Sequence, residues 1–234
     1  MSKPGAERLR IMLARNQGLA DRVRDPQFPI LGLKHLQEWQ RGRLTRSFQD
    51  LAGREDSRPA VRFFLSELYG GLDFQQRDQD LARVMPLMIR FLPDNALETM
   101  SEAFELQAIS LEHDMDMAEY MERHGITELD MDRYCSAYRA CSNRQERERQ
   151  IKLIRKLGYD LDRLVRKPLV NYLARLMRGP AHAAGFGALQ DFLENGLRSF
   201  RTLDDPRGFV DTIYAREWDA MERMFAGEEQ PFGF

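Results

Sequence analysis

The sequence predicts an all-α fold, a compact multi-helix bundle of about nine to ten helices with mostly antiparallel neighbours. Three observations lead there. Leucine, which keeps its rotamers in a helix, occurs 29 times, against 19 for Val, Ile and Thr together, which lose theirs. No stretch alternates apolar and polar residues for long enough to make a half-buried strand. Hydrophobic residues make up 43% of the 234 and charged residues 31%, a balance that suits amphipathic helices with charged outer faces.

Helices are expected near 5–24, 31–52, 58–69, 74–91, 94–123, 128–141, 144–157, 160–178, 183–202 and 207–226. Ser57-Arg58-Pro59 offers a capping hydroxyl and a first-turn proline to the third of these, and Gly70-Gly71 closes it. Leu92-Pro93-Asp94 restarts the chain, and Gly125 ends the long helix that follows. Thr127 with Asp130, and Ser142-Asn143 with Glu146, have the spacing of capping arrangements. Gly158, Gly179-Pro180 and Asp204-Asp205-Pro206 separate the remaining helices, and Pro86 and Pro168 should kink or split the two that contain them. With no internal repeat and no long linker, residues 1–226 are expected to form a single domain and 227–234 a flexible tail.

Several function classes lose support at once. The start, MSKPGAERLR, has no apolar run behind it, and no segment approaches the roughly 18 apolar residues of a membrane span. A soluble cytoplasmic protein with no membrane partner is the expectation. Cys135 and Cys141 fall on different sides of a helix at about 100° per residue, so they should stay reduced and unpaired. There is no Gly-x-Ser-x-Gly elbow and no phosphate-cradling glycine loop, which argues against an enzyme. The basic run NRQERERQIKLIRK (143–156) is interrupted by Glu146 and Glu148 and lacks interleaved aromatics, which disfavours a nucleic-acid partner.

Charge is distributed far less evenly than the net −2 implies. Residues 94–132 hold twelve acids against the single Arg123; residues 143–178 carry a net +7 and residues 1–46 a net +6. On the helix from Asp94, Leu97, Met100, Phe104, Ala108, Leu111, Met115 and Ala118 share one face. Glu98, Glu102, Glu105, Glu112, Asp116 and Glu119 form a stripe beside it, with His113 at its edge. Stacked carboxylates repel unless water, basic side chains or metal ions answer them.

For a metal, the candidate ligands are Glu105, Glu112, His113 and Asp116, with His35 added through the pattern His35-x-x-Glu38. A di-metal bundle would require Glu-x-x-His, which is absent. Haem would call on His35 or His113, and nothing else marks a haem pocket. No cofactor is therefore expected; haem or a di-metal centre stands as the alternative.

The run VRFFLSELYGGLDFQQRDQDLARVMPLMIRFLP contains Phe63, Phe64, Leu65, Ser66, Glu67, Leu68 and Tyr69. It resembles an uncharacterised bacterial family named for a Phe-Phe-Leu-Glu-Glu-Leu-Tyr motif, with Ser66 replacing the first glutamate. The preceding LQEWQRGRLTRSFQDLA and the acidic helix extend the likeness over about residues 33–120. The resemblance implies an all-helical bacterial protein and carries over no catalytic residue. Read physically, Val61, Phe64, Leu65 and Leu68 share a core face, and Phe63, Tyr69 and Arg77 could line a pocket.

Two functions fit these features. The first is a non-enzymatic protein-interaction module, binding a protein partner or itself as a homodimer through opposed acidic and basic helix faces. The second is a ferritin-like or haem oxygenase-like metal or haem enzyme or ligand carrier, by fold analogy alone.

Overall fold

The computed structural model describes residues 3–68, 93–168 and 187–234, with 170, 172, 176, 178, 179 and 182. Among the described residues there are nine α-helices and no strand. They are α1 (Pro4–Val23), α2 (Ile30–Ser47), α3 (Gln49–Gly53), α4 (Arg58–Phe63), α5 (Asp94–Arg123), α6 (Met131–Cys141), α7 (Arg144–Val165), α8 (Gly187–Arg201) and α9 (Pro206–Ala226). A π-helical turn, Phe64–Leu68, continues α4. The helix expected at 74–91, with Pro86, lies outside the described residues. No described helix is long and apolar enough to cross a membrane.

Side-chain chemistry sets most of the ends. The Asn143 carboxamide accepts from the Glu146 amide at 2.9 Å and starts α7. Asp205 accepts from Gly208 N at 3.0 Å behind the first-turn Pro206 of α9. Asp130, not Thr127, caps α6 by accepting from Arg133 N at 2.8 Å, so that helix starts three residues later than its sequence suggests. Ser57 is not a cap: its buried hydroxyl donates backward to the Leu51 carbonyl at 2.7 Å. The helix expected over 31–52 breaks at Phe48, whose ring turns into the core beside Leu44 and Leu51.

Gly158 does not end a helix. It sits inside α7 because a Cβ there would lie 2.6 Å from Val210 Cγ2 of α9, and its absence lets the two helices close on each other. The helix ends instead at Val165, three residues before Pro168, as the proline requires.

α5 is the central element. α1, α2, α6 and α7 all pack on it, and α9 packs on the outer side of α7. One core cluster joins Leu36, Met117, Met121, Tyr134, Tyr138, Ile151 and Met221; another joins Leu44, Phe48, Val61, Val165, Phe200, Phe209 and Val210. The last eight residues do not hang free as the sequence suggests. Pro231 is buried, and the Phe232 ring lies 6.3 Å from Trp39 and 6.2 Å from Tyr134, with the Arg43 guanidinium 4.7 Å over it.

Candidate interaction site

The acidic stripe of α5 is answered from within the chain. Arg8 pairs with Glu105 at 2.7 Å, the Arg15 Nε–H reaches Glu112 at 2.9 Å, and Arg22 reaches Glu119. Each pair is separated by 97 residues. A constant offset over two heptads means that α1 runs parallel to α5, in the register of a two-stranded coiled coil. α2 packs on another side of α5 and runs antiparallel to it, with Gly32 beside Ala118 and Gln40 beside Asp114.

From the other side, Arg149 and Lys156 of α7 reach Glu105 and Glu102. Glu105 is 4% exposed and gains two cationic partners whose own side chains stay partly in water. Two basic segments thus meet one acidic helix, as the charge blocks suggested, and their meeting is intramolecular. Among the described residues Asp116 has no such partner. Burial raises its pKa, Arg22 opposes that, and the carboxylates of Glu119, Glu112 and Glu146 add to the rise.

A second polar group lies between α5 and α7. Arg147 of α7 is buried, and no described carboxylate forms an ion pair with it. Its guanidinium bonds Ser142 Oγ at 2.9 Å and Gln150 Oε1 at 3.1 Å, and lies 4.2 Å over the Tyr138 ring. Beside it His113 is 5% exposed, and among the described residues its Nε2 has no hydrogen-bond partner. Burial, helped by the Arg147 charge, holds the imidazole pKa down at about 3, so the ring is neutral. Asp114 faces α2, accepting from Gln40 at 3.0 Å and Gln37 at 3.3 Å; burial raises its pKa against those bonds and against Arg147.

The proposed metal set is not assembled. Glu105 and Glu112 are committed to arginines, His113 points away from them into the core, and His35 is exposed on α2. Among the described residues no three His, Cys, Asp or Glu side chains converge so as to hold an ion. Both cysteines are free thiols, with pKa values pushed up by burial.

Of the suggested Phe63–Tyr69–Arg77 pocket, only Phe63 falls among the described residues. Tyr69 and Arg77 lie outside the described residues, and Phe63 is buried against Gly196 of α8, where a Cβ would sit 2.9 Å from its ring. The same run does something the sequence did not reveal: it leaves α-helical geometry for the π-turn, a rare form often found at functional positions. Outside that turn is a surface depression of about 590 Å³, walled by Arg62, Leu65 and Ser66 on one side and by Glu38, Arg41 and Thr45 of α2 on the other. The Arg41–Glu38 pair is long at 3.5 Å, and the Arg62 guanidinium forms no ion pair with a described residue.

No curated protein and no solved structure matches the chain. One family model does, over residues 24–231, which spans α2 to α9 with the acidic helix, the π-turn and the buried polar group; the chain belongs to the family described as Domain of unknown function (DUF8198).

Proposed function

We propose that this chain is a protein-interaction module and that its binding face is the depression beside the π-turn. In the closed chain the acidic and basic faces are joined to each other, and the depression is a separate, exposed surface. The carrying observation is the coincidence of the depression with the π-turn Phe64–Leu68. The π-turn sets Leu65 and Ser66 at the edge of the depression, beside Arg62 of α4. An apolar side chain flanked by two arginines suits a segment carrying an apolar anchor next to a carboxylate.

The test compares the full-length protein with its Arg62→Glu and Leu65→Asp variants. Wild type should retain a partner, protein or second copy, that both variants lose while their melting temperatures stay unchanged. An identical set of retained proteins and an identical light-scattering mass for all three would refute the reading. The carrier reading has one observation in its favour, the unpartnered Nε2 of buried His113. Stoichiometric iron, manganese or haem in protein purified without additions would establish that reading over ours.

A further inference from the structure

We infer that the face of α5 beneath α1 is a docking groove for a basic amphipathic helix of a partner protein, with α1 as its built-in, displaceable occupant. This inference is independent of the π-turn depression. The groove is built for a helix: Leu97, Phe104, Ala108, Met115 and Ala118 form its apolar floor, and Glu105, Glu112 and Glu119 form one rim at seven-residue spacing. α1 meets the floor with Leu9, Leu13, Leu19 and Val23, and meets the rim with Arg8, Arg15 and Arg22. The partner is thereby specified as a helix with arginines at i, i+7 and i+14, a large apolar residue after the first and last, and glycine near its start. The glycine follows from Gly5, where a Cβ would lie 2.7 Å from the Asp94 carbonyl.

Three observations make α1 an occupant of the groove more than a part of it. Every groove residue lies within the family-matched 24–231, whereas all of α1 precedes it. Two of the three arginine pairs, to Glu112 and Glu119, have both side chains about a third or more exposed, so water competes for them. At the centre of the seam stands Asn16. Its Nδ2 donates to the Phe104 and Met12 carbonyls at 2.9 Å, while its Oδ1 is buried with no partner. A buried asparagine fixes register and orientation in a paired helix and weakens the pairing as it does so.

The experiment uses full-length chain carrying Arg8→Glu, Arg15→Glu and Arg22→Glu, titrated with a fluorescent peptide of residues 3–24 and followed by anisotropy. The variant should bind the peptide at one to one, roughly tenfold or more tighter than wild type does, because its own helix no longer competes. Affinity should fall about tenfold or more from 0.05 to 0.5 M NaCl, and a peptide with the three arginines changed to glutamate should not bind. A folded variant that ignores the wild-type peptide overturns the inference. Wild-type dimers formed by exchange of α1 would overturn the partner assignment in favour of a second copy. Should circular dichroism show the triple variant unfolded, hydrogen exchange on wild type decides: α1 amides must exchange ahead of those in α5, and exchange only with global unfolding overturns the inference.

Discussion

Acid should destabilise this protein through one imidazole, and the size of the effect can be worked out. In the fold His113 titrates at about 3, against 6.5 for an unperturbed histidine, because it is buried and faces the Arg147 guanidinium. Between those two values the unfolded chain holds a proton that the fold rejects, so stability is complete above pH 6.5 and is lost as pH falls toward 3. One pH unit of such imbalance is worth about 1.4 kcal/mol, so lowering the pH from 7 to 5 removes roughly 2 kcal/mol. At 5% exposure, little solvent screening reduces that figure. His113→Leu fills similar space, removes the orphaned Nε2 and cannot titrate. Urea unfolding of both proteins at pH 7 and pH 5 is the assay, and the difference between their pH losses cancels every other titrating group. Wild type should lose about 2 kcal/mol more than the variant. Equal losses would show that His113 takes up its proton without disturbing the fold, and the argument from burial beside Arg147 would fail.

Three other perturbations bear on the packing of α5 and α7. Removing both cations from Glu105, as Arg8→Met with Arg149→Met, strands a buried carboxylate and should cost about 3–5 kcal/mol. Glu105→Gln leaves two arginines that can reach water and should cost nearer 1 kcal/mol; chemical denaturation of both variants tests the asymmetry. Gly158→Ala gains about 1 kcal/mol of helix propensity and loses roughly 1–3 to the collision with Val210, a net loss that Val210→Ala in the same chain should relieve. Raising NaCl from about 0.05 to 0.5 M should lower the melting temperature by a few degrees without changing the light-scattering mass, since the charge blocks meet within one chain.

The helices were legible because their signals are local. Asn143 and Asp205 stand where a cap must stand, and the face holding Leu97, Phe104, Ala108 and Met115 is written in the spacing of α5. The errors came where a residue answers to a distant one. Gly158 reads as a stop and is a contact with Val210, 52 positions away; Phe48 breaks a well-patterned helix to reach the core; Ser57 turns its hydroxyl from α4 to Leu51. Nothing local records such demands, so propensity and spacing point the other way.

The acidic stripe shows the same division more sharply. Its geometry on α5 could be read directly, and so could the two basic blocks that answer it. What the sequence also held was the pairing itself: Arg8, Arg15 and Arg22 repeat at seven residues, as do Glu105, Glu112 and Glu119. Matched heptads in two segments are the mark of parallel helices in register, because only a constant offset lets every pair meet. Summing charge over blocks hides that phase, and a net +6 beside a net −11 fits a dimer as well as an internal pair. The tether settles which forms first. α1 is joined by a short connection to α2, which itself packs on α5, so its local concentration exceeds that of any second copy until something displaces it. The stripe is therefore structural in the closed chain, and it becomes a recognition surface only where a partner helix competes with α1 on the terms that α1 itself sets.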